Sequence, residues 1–323
     1  MRSFINRRSA ITMGATTLLV PSAFAQGTPL RVILPVGPGS GVDTIVRAAQ
    51  VAFSKALNDQ PVVIENLPGA GGITGTSALV KSAPDGNTIA FISNNHAVNP
   101  SVYKKLPYDS LNDITPISVV GGSPFVLVVN PAKVLAKNVK ELQALIKSKP
   151  GQFNYGSSGN GTIIHLGGEM FVDAIEGDVR HIPYKGMGPM LTDILGGQVE
   201  MGVAAVAAVQ GYLKSGTLRA IGVMGKSRVP SLPDVPTIAE QGFPQVDVVG
   251  WFAAVGPAKL PANQVKRIHD ALIAAFNDPT VKATMAKQDN FINPMTPQAS
   301  AQFLKSEQER FAKLVAKADV KLD

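Results

Sequence analysis

The chain has no cysteine. That excludes disulfides, thiolate metal sites and cysteine nucleophiles together. It also excludes the lipid-bearing cysteine that would tether an exported protein, so a lipoprotein is not expected. Aromatic residues make up 6% of the chain, with a single tryptophan. Lysines and arginines form no run and no aromatic-interleaved stripe, which argues against a nucleic-acid partner. The four histidines, His96, His165, His181 and His269, form no HExxH or second paired motif. No metal and no cofactor is expected on that ground.

What is present begins with an export signal. Arg2, Arg7 and Arg8 precede the short apolar stretch ITMGATTLLV, and PSAFAQ offers an A-x-A-like cut, so residues 1–25 are expected to be removed. The apolar stretch is shorter than the roughly 20 residues of a membrane-spanning helix. The Arg7–Arg8 pair is compatible with ordinary secretion or with the twin-arginine route. Removing the three signal arginines takes the formal charge from +7 to +4, a mild excess that suits small anionic ligands. With 31 glycines, 24 prolines and 45% hydrophobic residues, the remainder has a globular composition and the length of two ordinary domains.

Short β-type runs alternate with helical patterns, the signature of an α/β protein with mainly parallel sheets. Strands are predicted at 30–35, 61–65, 88–92, 125–130, 153–155, 179–182, 199–203 and 218–223. Helices are predicted at 42–57, 72–82, 139–147, 162–175, 188–195 and 205–214. Three further helices, each opened by a proline, are predicted at 261–276, 279–287 and 297–318. Two extended stretches, SPFVLVVN after Gly121-Gly122 and VDVVGWFAAVGP after the proline-rich RVPSLPDVPT, bracket a central block. They predict a discontinuous first lobe, residues 26–125 plus 250–323, with residues 126–249 inserted as the second. The gap between them is the expected ligand site.

Three strand-to-helix junctions share one design: GPGSGVD after the first strand, PGAGG after PVVIEN, and GSSGNGT after FNY. Each brings glycines and small polar residues to a helix start, with Ser40 and Thr162 as caps and Asp43 three residues after Ser40, as in a capping box. Taken singly, such loops are ordinary tight turns. Three at the carboxyl ends of parallel strands point to anion binding. Nucleotide fingerprints fail on spacing, because Val42 and Thr74 stand where GxGxxG needs glycine and Ala220 stands where a P-loop needs its first. GSSGN misses the GxSxG elbow at Asn160. Ser158 with His165 leaves open an exported serine hydrolase, and His165 with Glu169 has the spacing of metal ligands without a second pair. Trp251 is equally compatible with the core and with a ligand wall.

The blocks PGSGVDTIVR, IENLPGAGGITGT, KSAPDGNT, YGSSGNGTIIHL, IPYKG, LGGQVEM, LPDVPTIAEQGFP and GWFAAVGPAKLP, in this order from about Leu30 onward, resemble the periplasmic solute receptors of tripartite tricarboxylate transporter systems, the Bug receptors. The resemblance implies a two-lobed Venus-flytrap binding protein of type II-like periplasmic architecture. It implies a periplasmic monomer that is not an enzyme, binds a small carboxylate and hands it to a membrane permease. A sensory receptor of the same fold is an alternative. The ligand contacts implied are Val36, Gly37, Pro38, Gly39, Ser40 and Gly41 of the first loop, with Gly71 and Asn95. From the second lobe they are Ser157, Ser158, Gly159, Asn160 and Thr162. His165, Tyr184, Lys185, Ala204 and Ala205 are implied to line the opposite wall. Asp43 is read as organising its loop, since a free carboxylate would repel an anion.

The chain departs from the family pattern at Val36-Gly37 and in GVAAVAAV, where members carry aromatic or acidic residues. Both changes shrink or depolarise the wall, which favours a bulkier or more apolar monoacid, such as an aromatic one, over a dicarboxylate. A thermal-shift screen tests this: aromatic monoacids should raise the melting temperature, and stabilisation by citrate-like polyacids alone would contradict it.

Overall fold

The computed structural model describes residues 28–318; the expected export signal lies outside the described residues. The first lobe opens with β1 (Leu30–Leu34), α1 (Gly41–Ala56), β2 (Val62–Asn66), a 3-10 turn at Ala70–Gly72, α2 (Ile73–Val80), β3 (Thr88–Ser93) and α3 (Asn94–Val102). β2 and β3 flank β1 and both run parallel to it. The carboxyl ends of all three strands therefore share one edge, and the loops leaving them share it too. α1 forms because Val42, Ile45, Val46, Ala49 and Phe53 recur at helical spacing and are all buried, while Asp43 sits in the first turn where the helix dipole favours a negative charge.

The long strand β4 (Ile114–Val129) then crosses between lobes. Up to Pro124 it pairs antiparallel with β9 (Val249–Pro257), which in turn pairs antiparallel with β3. From Phe125 onward it pairs with β7 (Met201–Ala205) and β8 (Arg219–Val223). Between these lie α4 (Val139–Ser148), β5 (Phe153–Ser157), α5 (Ile163–Ala174), β6 (Val179–Pro183), α6 (Met187–Leu195) and α7 (Val206–Lys214). β5 runs parallel to both β6 and β7, so the second lobe repeats the parallel block of the first. The two parallel blocks are joined through antiparallel β9 and β4 into one sheet with the order β2-β1-β3-β9-β4-β7-β5-β6.

Helices α8 (Ala262–Asn277) and α9 (Pro279–Lys287) return to the first lobe, followed by β10 (Phe291–Ile292) on β4 and by α10 (Pro297–Ala318). One face of the first sheet packs Ile117 and Val120 against Phe53, Ile268, Leu272, Phe276 and Met285. The opposite face, with Val119, continues into the core of the second lobe and takes Leu304, Phe311 and Val315 of α10. Trp251 resolves as core: it is 4% exposed, lies edge-on to Phe303 and donates from Nε1 to Glu307 at 2.8 Å.

Element types follow the sequence reading except in three places. The strand expected at residue 125 begins at Ile114, because Gly121-Gly122 is not a break. Both glycines continue the ladder, where the strand bulges and the backbones of β9 and β10 approach too closely for a side chain. Helix α3 is an addition to the predicted set: its sequence, NNHAVNPSV, is poor in helix formers and carries Pro100, so its stability comes from packing against α10. The two-residue β10 is too short to leave a periodic signal.

Adding one methyl group tests the crossing. A Cβ on Gly122 would overlap the Gly250 carbonyl oxygen, whereas one on Gly211 in α7 meets nothing. Gly122→Ala should cost about 2–3 kcal/mol and lower the melting temperature by roughly 4–10 °C. Gly211→Ala should be neutral or stabilise by up to about 1 kcal/mol. Equal melting temperatures for the two variants would contradict this packing.

Candidate functional site

The two lobes present matching loops. In the first, Ser40 caps α1 through its Oγ, which accepts from the Asp43 amide at 3.3 Å. Asp43 then reaches back, and its Oδ2 accepts from the Gly39 amide at 2.9 Å. In the second lobe Thr162 caps α5, its Oγ1 accepting from the His165 amide at 3.3 Å. His165 likewise reaches back, and its Nδ1 accepts from the Gly161 amide at 3.0 Å. The segments GSGVD and GTIIH are thus one device built twice: a hydroxyl cap, with a side chain three residues later holding the amide just before the cap. It is a capping box shifted by one residue, because the returning side chain takes the glycine amide and not the amide of the cap itself.

Asp43 accepts two further bonds, from Arg47 Nε and Asn66 Nδ2, both at 2.9 Å. Burial opposes its ionisation, but the Gly39 amide, Asn66 and Arg47 outweigh that and hold the carboxyl below its ordinary value. Asp43 organises the loop. The amides of Gly41 and Val42 remain, orphaned by helix geometry at the start of α1. Gly37 is half-buried, Pro38 and Gly39 are exposed, and Ser40 donates its own amide to the Gly37 carbonyl at 3.3 Å.

The second loop is set by backbone conformation. Gly69, Ala70, Gly71 and Gly72 all have positive φ, at 134°, 45°, 61° and 93°. Only glycine takes such values without strain, so Ala70 is the costly position. Asn99 Nδ2 donates to the Gly71 carbonyl at 3.1 Å and pins the loop to α3. A Cβ on Gly75, in the first turn of α2, would come 2.8 Å from Pro35 Cα, and one on Gly72 would come 3.2 Å from the Pro35 carbonyl oxygen, so this loop and the helix it opens are seated directly on the first. Between them lies a cavity of about 10 Å³ lined by Pro35, Val36, Gly71, Gly72, Ser93, Asn95 and His96, among others. It has room for about one water-sized group.

Asn95 joins the lobes. Its Oδ1 accepts from the amide of Ile163, the first residue of α5, at 3.0 Å. Around the Ser157–Thr162 loop most donors are already engaged. Gly159 donates to Ser157 Oγ at 3.1 Å, Thr162 to the Gly159 carbonyl at 3.3 Å, and Ser158 Oγ to Thr162 Oγ1 at 3.1 Å. Asn160 is exposed at the tip. The β6–α6 loop is clamped alongside: Tyr184 and Gly186 donate to the carbonyls of Ser157 and Ser158 at 3.0 and 3.2 Å. Tyr184 donates its hydroxyl to Asp193 at 2.7 Å. Burial, with the Asp193 hydrogen bond and charge, pushes that phenol up to about 12. Lys185 is exposed, Ala204 is fully buried on β7, and Ala205 precedes α7.

Beneath this loop sits a polar stack that the sequence reading did not assemble. His165 and His181 stack at 3.9 Å, with Tyr155 next at 4.9 Å from His181. Ser157 Oγ lies 2.6 Å from His181 Nε2, and Tyr155 donates to Glu169. Burial, then the neighbouring His165, lowers His181 to about 4, with Glu169 partly opposing. His165 Nδ1 accepts from Gly161, so its proton is on Nε2, facing Glu169 at 3.5 Å. The Ser158–His165 couple of a hydrolase is not formed: each hydroxyl and ring nitrogen of that pair has another partner. No group of three or more His, Asp or Glu side chains among the described residues is placed to hold a metal.

An acid titration tests the role of Asp43. Its folded value lies below the ordinary 3.8, so its stabilisation is complete above that pH and is lost as pH falls through the folded value. An asparagine side chain in its place would offer a single acceptor oxygen to the three donors. Asp43→Asn should therefore lose about 1–3 kcal/mol at pH 7. The gap to wild type in denaturant midpoint should close as pH falls toward about 2. A gap independent of pH would contradict this.

The geometry agrees with known proteins. The family model for tripartite tricarboxylate transporter family receptors (TctC) matches residues 45–320. Protein BugT of Bordetella pertussis (strain Tohama I) is 34% identical over 296 residues, 91% of this chain and 90% of BugT. The solved structure of the periplasmic binding protein BugD has a TM-score of 0.83 at 29% identity, covering 91% of this chain and 98% of BugD. That of R. palustris Rpa4515 with adipate has a TM-score of 0.84 at 26% identity, with the same coverages. The fold is therefore the two-lobed binding-protein architecture, and the chain belongs to the tripartite tricarboxylate transporter receptor family.

Proposed function

We propose that this protein is a periplasmic receptor that closes on a small organic carboxylate, performs no chemistry on it, and delivers it to the membrane permease of a tripartite transporter. The reading is supported by the two matching helix starts: the Gly41 and Val42 amides of α1 have no partner in their own helix, and the start of α5 is reached from the first lobe by Asn95 of α3, whose Oδ1 takes the Ile163 amide. Orphaned amides at a helix start favour an anion by about 0.3–2 kcal/mol per contact and need no full positive charge. Family membership supports the transport role, and Rpa4515 with adipate is a relative with a carboxylate bound. We place the first loop (Val36–Gly41), Gly71, Asn95 and the Ser157–Thr162 loop at the ligand, and His165 and Tyr184 in the layer that shapes that loop. The signal-borne export, the monomeric state and the permease partner follow from the same reading. The hinge is assigned to the places where the chain changes lobes, at Pro124/Phe125 on β4 and near Val248/Val249 before β9. The lobes are then residues 26–125 plus 250–323, and residues 126–249.

Binding on this reading involves opening at that hinge followed by closure on the ligand.

One substitution removes a proposed donor and spares the fold. Gly41 is the first residue of α1, where proline is favoured, and Ser40 before it is already extended at φ −68° and ψ 163°. Native mass spectrometry of freshly purified protein identifies a co-purifying carboxylate, and calorimetry then measures its affinity. Gly41→Pro should weaken binding about 2- to 30-fold with an unchanged or higher melting temperature. Unchanged affinity would remove this amide from the site, and conversion of the bound acid into a product would contradict the receptor reading.

A further inference from the structure

We propose that His181 is a positioning residue for the ligand: through Ser157 it holds the Gly159 amide, as His165 holds that of Gly161, so that the two stacked imidazoles leave the Asn160 amide between them as the donor this loop offers to the anion. The proposal rests on the reading that the second-lobe loop takes a carboxylate, and it names the amide and the residues that select it.

Ser157 ends β5 and is fully buried. Its hydroxyl accepts from the Gly159 amide at 3.1 Å, lies 3.2 Å from the Gly159 carbonyl oxygen and 2.6 Å from His181 Nε2. A hydroxyl has one proton and two lone pairs. That capacity is used inside the loop, so Ser157 acts as a support and not as a ligand contact. Gly159 needs the support, because its φ of 133° is a value only glycine takes without strain. On the other side of the tip, Gly161 donates to His165 Nδ1 at 3.0 Å. Between the two, the Asn160 amide has no hydrogen-bond partner among the described residues, and Asn160 is exposed.

The fold brings His181 to this place from β6. It pairs with Tyr155 of β5, and the two-residue repeat of a strand puts Ser157 on the same face as Tyr155. The imidazole is held between Tyr155 at 4.9 Å and His165 at 3.9 Å, so rings from three elements fix its plane. Burial, then the neighbouring His165, lowers His181 to about 4, which leaves it uncharged at neutral pH. His181 therefore brings no cation to the loop, and the pull on an anion falls to the amide left over.

Adipate, malate and phenylacetate serve as probes in calorimetry on the full chain, and the acid that wild type binds most tightly is carried into the variants. His181→Phe keeps a flat ring in the stack and deletes the bond to Ser157. With a melting temperature close to wild type, it should weaken binding about 3- to 10-fold, the worth of one net hydrogen bond. His181→Gln, whose side-chain amide reaches the place of Nε2, should recover most of that loss. Ser157→Ala should match His181→Phe, and the double variant should bind no more weakly than the more affected single one, because both changes cut the same chain of contacts. Asn160 and Gly161, the latter at φ 69°, are the central pair of a turn closed by the Thr162 amide on the Gly159 carbonyl, where proline is favoured at the first central position. Asn160→Pro, which deletes the amide, should bind at least about threefold more weakly than Asn160→Ala, which keeps it. In ligand-free wild type, the Gly159 and Gly161 amides should exchange with solvent at least about tenfold more slowly than that of Asn160, after correction for intrinsic rates. Wild-type affinity in folded His181→Phe, additive losses in the double variant, equal affinities of the proline and alanine variants, or fast exchange at Gly159 would each overturn the proposal and leave the receptor reading standing. Failure of all three probes and of any co-purifying carboxylate to bind would remove that reading, and this proposal with it.

Discussion

A helix cannot satisfy its own first amides, and on the proposed reading two such helix starts, α1 and α5, face one cleft from opposite lobes. The rest of the structure serves that placement. Parallel pairing of β1 with β2 and β3, and of β5 with β6 and β7, brings the loops of each lobe to a common edge. Glycines let the loops lie on one another, as Gly72 does against Pro35. In each lobe a side chain in the first helical turn, Asp43 or His165, ties down the preceding glycine amide and fixes which donors remain. Neither device places a positive charge in the cleft, which suits a receptor that must also release its anion.

The lobes are coupled at several separate points. Asn94 accepts from the Trp251 amide and donates to the Val249 carbonyl, both at 3.0 Å, which supports the second crossing from α3. On α10, Arg310 holds Glu307 at 2.9 Å and also donates to the Asp247 carbonyl, so the same helix touches both ends of that crossing. Lys317 at its end pairs with Asp173 of α5 at 2.6 Å, an exposed contact of small energetic weight. On another side, Asp289 accepts from Gln210 and from Ser231. Beside these polar ties, one apolar core runs continuously from the first lobe into the second, while the opposite face of the first sheet has a core of its own. The hydrogen-bonded ties can exchange with water, whereas the shared apolar core along β4 and β9 stays packed, so movement proposed about those strands is a hinge and not a full separation.

Much of this was legible in the sequence. The α/β alternation and three proline-opened helices were readable because periodicity and helix-start chemistry are local. The loops were readable from their glycines, and Asp43 from the incompatibility of a free carboxylate with a bound anion. What escaped was non-local. α3 has a weak helical sequence and depends on α10 for its packing. Gly121-Gly122 reads as a break until the backbones of β9 and β10 are seen against it. The likeness of GSGVD to GTIIH was on view as two capped helix starts. The backward reach of Asp43 and His165 was not, because an aspartate and a histidine share no sequence signature for that bond. The imidazole stack of His165 and His181 unites α5 with β6, and no spacing rule anticipates it.

The central claim is that main-chain donors from both lobes take the anion together. Amide-resolved ¹⁵N–¹H NMR during titration with the co-purified carboxylate tests it most directly. The account predicts saturable downfield shifts at Gly41 and Val42 with simultaneous changes in the Ser157–Ile164 segment, all fitting one dissociation constant. Shifts confined to one lobe, or lysine and arginine side chains responding while these amides stay still, would contradict it.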